Sequence, residues 1–297
     1  MKPARPLWLV AAPAIFLALW SGGFSVAKLG LLHAEPITFL ALRYICVIIL
    51  LAPLYLIVRP PLPKTGRAWA DVAMTGFLIQ VVYFGLSYLA FKRGISAGSV
   101  AIIVCLQPII VGLVAPRFVG EQVGMARWIG LGLGLAGAAI VIISRSAIGS
   151  SDALGIIAAI LALLGITAGS LWEKRFGVSH HPITANLIQY GVGAALTVPL
   201  AFATETMHID WTWHFGAALA YLVIGNSLIS MTLLLAMIRA GEVARVSSLF
   251  YMVPPLSALI AWPMLGEAMP VWAWAGMALA AFGVAIASRK PRNAKAA

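Results

Sequence analysis

"SVAIIVCLQPIIVGLVAPRFVGE", Ser99 to Glu121, is answered 146 residues later by "RVSSLFYMVPPLSALIAWPMLGE", Arg245 to Glu267, with Val, Pro, Leu, Ala and a closing Gly-Glu at the same places. Without a gap, the same displacement pairs Gly23 with Gly169, Lys28 with Lys174, Pro36-Ile37-Thr38 with Pro182-Ile183-Thr184 and Tyr44 with Tyr190. It also pairs Arg93 with Arg239, Trp128 with Trp274 and Gly137 with Gly283. Coincident Leu and Ala follow from an apolar composition, whereas aligned Gly, Pro, Trp and Arg require a duplication. The chain is therefore expected to fold as two copies of one unit, residues 1–147 and 148–297.

Hydropathy says what that unit is. With 62% hydrophobic and 10% charged residues and a mean hydropathy of +1.00, the chain has too few polar side chains to coat a soluble globule of its length. Ten apolar segments can be cut at charged or Pro/Gly punctuation, near 7–32, 36–58, 68–91, 95–116, 125–144, 153–173, 183–204, 213–238, 243–265 and 270–288. Each has the roughly 20 residues that cross about 30 Å of hydrocarbon. A transmembrane barrel would instead show alternating polarity over segments of about ten residues. The expected fold is an all-α integral membrane protein of ten transmembrane helices. Five helices per copy is an odd number, so the second copy enters the bilayer from the opposite face. Such an inverted repeat suits alternating access to a site near the midplane.

The net charge of +11 has a membrane explanation. Fifteen of the 20 Lys and Arg fall in one alternate set of connections and tails, among them Lys2, Arg5, Arg59, Lys64, Arg67, Arg117, Lys174, Arg175, Arg239, Arg289 and Lys290, while Lys92, Arg93 and Arg145 hold the other. This asymmetry predicts cytoplasmic N and C termini. A nucleic-acid partner would need the basic groups on one soluble module, and the sequence has none. Cys46 and Cys105 lie inside predicted spans and are expected to be free thiols.

"LWSGGFSVAK" in the first span, the Ser99–Glu121 segment and its second copy resemble the two EamA domains of the drug/metabolite transporter superfamily. That resemblance covers nearly the whole chain. It implies a multi-pass exporter of the bacterial inner membrane that moves small metabolites. Amino acids are the favoured cargo, as in the aromatic amino acid exporters of the YddG type; nucleosides, sugars and drugs are the alternatives.

Polar groups at membrane depth are costly unless they face a cavity or a partner. Gln80 and Tyr83 in the third span, Gln107 in the fourth, Asn226 and Ser230 in the eighth and Tyr251 in the ninth are candidate substrate contacts. Gln80 and Asn226 are 146 apart, so each copy carries an amide at the same depth. Trp20 and Ser21 in the first span, with Ser170 in the sixth, form another matched region, and Trp20 is placed to stack on an apolar substrate. Interhelical hydrogen bonding and simple packing are the competing uses for all of these. Arg43, about 10 Å from Pro36 by helical rise, needs a partner or a substrate carboxylate; Lys28, near a helix end, can snorkel. Pro108, Pro254 and Pro255 interrupt backbone bonding and are candidate gating pivots. "GLGLGLAGAA" and "GMALAAFG" read as packing faces.

All nine acidic residues map to loops or span ends, so a mid-depth proton relay is not expected, and facilitated transport or exchange is. Glu173, beside Lys174 at a span end, comes nearest to such a relay and is expected in an ion pair or on an exposed face. The five His lack metal-ligand spacing and no nucleophile sits beside a base, so neither an enzyme nor a metal site is expected. A channel would show a polar ring of repeated side chains. No cofactor is implied. The expected partners are a small-molecule substrate and the lipid bilayer, with the chain as monomer or homodimer.

Overall fold

The computed structural model describes residues 7–95, 97–120, 124–145, 152–177, 180–240, 243–265 and 270–287. The tail cations and Glu121, Glu242 and Glu267 lie outside the described residues. Among those described, the secondary structure is helical apart from one isolated bridge between Ala34 and Ile209.

Ten rods emerge in chain order. They are α1 (Leu7–Gly30), α2 (Pro36–Val58), α3 (Gly66–Lys92), α4 (Ala97–Val104, then Gln107–Phe118) and α5 (Met125–Arg145). The second five are α6 (Ala153–Phe176), α7 (Pro182–Thr204), α8 (Trp213–Ala240), α9 (Val243–Ser247, Ser248–Met252 and Val253–Leu265) and α10 (Val271–Ala287). α1, α2, α3, α6, α7 and α8 are each long and apolar enough to cross a membrane. Large apolar side chains stay exposed on the outside of the bundle, Ile57 at 80% and Phe202 at 71%, as a lipid-facing surface requires.

Proline explains the two broken rods. Pro108 begins the second half of α4 after a turn at Cys105-Leu106, and Pro254-Pro255 follow the tight Ser248–Met252 turn in α9. A ring without an N–H fits the first turn of a restarted helix, whereas Pro53 and Pro199 sit inside rods that continue past them.

Matched rods run antiparallel, which is the inversion that the odd helix count requires. α2 and α7 are joined at one end by Glu205, whose carboxylate accepts from the Ile37 and Thr38 backbone N–H groups at 3.0 and 2.7 Å. At their other end the Thr184 hydroxyl donates to the Pro61 carbonyl at 3.2 Å. α5 and α10 press their glycine faces together: a Cβ on Gly130 would lie 2.7 Å from the Gly283 carbonyl oxygen, and one on Gly137 2.6 Å from that of Gly276. Gly137→Val therefore drives two backbones apart, and its expected cost is about 1–3 kcal/mol or more, the range of overpacked cores. A Cβ on Gly132 meets nothing within 4 Å, so Gly132→Val is the matched control. Thermal unfolding of the two purified variants checks the difference.

A third matched feature is not visible in hydropathy. α3 contains a π-helical stretch at Phe77–Tyr83 and α8 one at Tyr221–Ser230. The wider turn frees carbonyls, and each repeat supplies a tyrosine to one of them. Tyr44 donates to the Gln80 carbonyl at 2.6 Å, and its copy Tyr190 donates to that of Ser227 at 2.9 Å. π-turns of this kind concentrate at functional positions.

Candidate substrate site

The π-turn of α8 delivers Asn226 and Ser227 to Arg43. From α2, Arg43 Nε donates to Ser227 Oγ at 2.7 Å, Nη2 to Asn226 Oδ1 at 2.8 Å and Nη1 to the Tyr88 hydroxyl at 3.4 Å. Its guanidinium carbon lies 4.5 Å from the centroid of the Phe84 ring. The side chain is 1% exposed, and every partner named is neutral. Among the described residues no carboxylate forms an ion pair with it. A guanidinium offers five N–H donors; three are used here, leaving a buried cation with spare donors and no counter-ion.

That group borders a small cavity whose lining residues are all buried. Its aromatic wall comes from Trp20, Phe24, Tyr83, Phe84, Tyr88 and Phe91, and its polar end from Arg43, Asn226 and Ser87. Phe84, Tyr88 and Phe91 recur at helical spacing on one face of α3. Trp20 is clamped between Tyr83, stacked at 6.1 Å, and Phe16 and Phe250, at 5.2 and 5.7 Å. Gly23 explains the "GG" of α1: a Cβ there would overlap the Asn226 amide, so glycine lets α8 carry that amide against α1. The cavity occupies the half of the bundle nearest Gly30, Pro36 and Lys92, here the Pro36 end.

Of the ten substrate contacts expected from sequence, Trp20, Arg43, Tyr83 and Asn226 share this cavity. The other six are not among its lining residues. Gln107 Nε2 donates to Ser170 Oγ at 3.2 Å, tying the break in α4 to α6, and the Ser170 hydroxyl donates back to the Ile166 carbonyl at 2.7 Å. Ser230 bonds the Phe16 carbonyl at 3.4 Å. Ser21 is buried, with its backbone carbonyl accepting from Ser257 at 2.8 Å. Gln80 is fully buried where α3 meets α7, and Tyr251 packs on Gly134 between α5 and α10. The face Phe84, Ser87, Tyr88 and Phe91 completes the site beyond the expected set. An aromatic every three or four residues in α3 was their signal.

Opposite the cavity the bundle is shut by charge. At the Ala240 end Arg239 Nε donates to Glu173 Oε1 at 2.6 Å and Nη1 to the His180 carbonyl at 2.6 Å. Glu173 is fully buried. Its ion-pair partner is Arg239 of α8, so of the two expected settings Glu173 takes the ion pair. At the Pro36 end the copied arginine, Arg93, reaches Asp152 at 3.3 Å in an exposed pair. There Glu35 accepts from the Thr206 hydroxyl and N–H at 2.8 and 2.7 Å and faces Lys92 at 3.9 Å. The Thr206 hydroxyl, ahead of Lys92, holds the Glu35 carboxyl below its ordinary value. Lys28 is exposed, as a snorkelling residue is.

Known proteins share this plan. The Bacillus subtilis uncharacterized transporter YvbV is 23% identical over 290 residues, covering 96% of this chain and 92% of that one. The Escherichia coli uncharacterized inner membrane transporter YedA is 22% identical over 286 residues with the same coverage. A Salmonella typhimurium protein called a probable amino-acid metabolite efflux pump is 22% identical, covering 92% of both chains. A solved crystal structure, 20% identical, matches the fold with a TM-score of 0.78 over 96% of this chain and 97% of its own. The EamA-like transporter family model matches twice, over residues 7–143 and again over 153–289. The chain belongs to the EamA-like transporter family.

Proposed function

We propose that this transporter exports neutral amino acids, aromatic ones included, across the bacterial inner membrane by alternating access, as a facilitator or exchanger. The observation that carries this reading is Arg43, a buried guanidinium without a counter-ion among the described residues, at one end of a cavity walled by six aromatic rings. A substrate carboxylate supplies the missing charge, charge-assisted bonds of this kind being the stronger ones. The aromatic wall takes an apolar side chain, and the carbonyl oxygen of the Asn226 amide and the Ser87 hydroxyl are acceptors for an ammonium. The Salmonella relative's name points to the same substrate class.

The cavity lies toward the Pro36 end with every lining residue buried, and the Glu173–Arg239 pair closes the Ala240 end, so this conformation is an occluded one. Pro108 and Pro254-Pro255 are the pivots at which α4 and α9 bend between states.

Counterflow in proteoliposomes tests the reading. Vesicles holding purified protein are preloaded with an unlabelled amino acid and given labelled Phe, Trp, Thr, Met or Leu outside. Transient accumulation of several of these is expected. No accumulation of any, from folded protein, overturns the amino-acid reading and directs the search to nucleosides, sugars or drugs.

A further inference from the structure

A second, narrow crevice lies between α7 and α8 near the Ala240 end, lined by Pro182, Asn186, Thr232, Leu235, Ala236 and Arg239. α7 and α8 are the copies of α2 and α3, the rods that supply Arg43 and the aromatic face to the main cavity. The inverted repeat has thus placed a polar crevice against the same pair of helices at each end of the bundle.

The polar groups of this crevice are incompletely used. Asn186 is 3% exposed. Its Nδ2 donates to Thr232 Oγ1 at 2.7 Å, while its Oδ1 has no partner. Arg239 spends Nε on Glu173 and Nη1 on the His180 carbonyl, and its Nη2 is buried without a partner. A buried amide oxygen and a buried guanidinium N–H left unpaired are each costly. The two unpaired groups, one acceptor and one donor, line the same crevice, and the head group of an α-amino acid carries a complement for each, its carboxylate for the guanidinium and its ammonium for the amide oxygen.

We propose that this crevice is a second substrate subsite, which receives the head group of an α-amino acid at the cytoplasmic face before the inner gate opens. The proposal rests on the amino-acid reading above and deepens it. Because Arg239 also clamps Glu173, a carboxylate arriving at Nη2 competes for the same guanidinium and loosens the closing ion pair. Substrate binding is thereby linked to opening at the end where export begins.

The experiment uses the full chain with Cys46→Ala and Cys105→Ala and a single introduced thiol, Ala236→Cys, in the crevice. Inside-out vesicles are treated at 4 °C with a membrane-impermeant thiol reagent, with and without L-phenylalanine or L-threonine. Labelling is expected to slow saturably with amino acid. Adding Asn186→Leu is expected to raise the half-protecting concentration about tenfold, the loss of one good hydrogen bond to a charged group. Protection that Asn186→Leu leaves within twofold comes from conformational change driven from the Arg43 cavity and overturns the subsite. Absence of protection by an amino acid that the same protein transports overturns it as well. Should the leucine variant not fold, Asn186→Asp keeps an acceptor and places a negative charge where the ammonium binds, and is expected to lower the half-protecting concentration severalfold; an unchanged or higher value overturns the subsite. If counterflow finds no amino acid transported at all, it is the amino-acid reading that falls, a result distinct from either labelling outcome.

Discussion

Arg43→Gln is expected to lower transport efficiency for amino acids by one to two orders of magnitude while leaving the protein folded. Arg43 makes three hydrogen bonds to Ser227, Asn226 and Tyr88 and has no acidic partner among the described residues, so its remaining donors can meet a carboxylate. A hydrogen bond to a charged group contributes about 1.5–3 kcal/mol, equivalent to roughly 10- to 150-fold in binding. Glutamine keeps a donor toward Asn226 and Ser227 and removes the buried charge, so the fold loses less than the substrate does. Arg43→Lys keeps the charge without the planar fork and is expected to fall between the two. The decisive comparison is between phenylalanine and phenylalaninamide, which lacks the carboxylate. Wild type prefers the acid, and Arg43→Gln no longer does. Equal preference in both proteins, or transport by the variant within twofold of wild type, removes Arg43 from the substrate site.

The span ends read from punctuation fall within a few residues of the rods, because Pro36, Pro182 and the charged connections stop helices for local reasons that a sequence displays. The inversion was equally legible, since an odd number of spans leaves the second copy no other orientation. Gly130 and Gly134 carry their packing role in their four-residue spacing, and both back onto Gly283. The cavity was harder. Gln80 and Asn226 are matched residues at matched depth, yet Asn226 reaches Arg43 and Gln80 is buried against α7, because duplication fixes backbone position and leaves the side-chain environment to diverge. Arg43 itself corresponds to Gln189, so the cation exists in one copy only and the site is asymmetric within a symmetric frame. Tyr251 reads as a substrate contact by polarity and depth. Its ring instead fills the space beside Gly134, a contact between α9 and α5 that neither segment announces. The π-turns escaped notice altogether, since no residue type marks them and their tyrosine partners lie in another helix.

The two matched arginines give an internal control for the inner gate. Arg239 and Arg93 occupy the same position in the two repeats, and each pairs with an acid of α6, Glu173 at one end and Asp152 at the other. Their surroundings differ. The Glu173 side chain is 0% exposed and that of Arg239 11%, at 2.6 Å, whereas Arg93 and Asp152 are 48% and 35% exposed, at 3.3 Å. An exposed pair contributes about 0–1 kcal/mol, while removing one partner of a buried pair costs about 3–5 kcal/mol because the other charge is left without compensation. Arg239→Gln is thus expected to lower the thermal midpoint of the purified protein by several degrees or to open the Ala240 end, and Arg93→Gln to do neither. Glu173→Gln added to Arg239→Gln removes the stranded charge and is expected to restore most of the loss, a coupling that the Arg93 and Asp152 variants lack. Relief by opening is read from Ala236→Cys, whose labelling from the Ala240 face would accelerate in Arg239→Gln. Equal losses from the two arginine variants, with no recovery in the double variant, would mean that the buried pair is not what holds this end shut. The closing energy would then reside in the apolar contacts between α6 and α8.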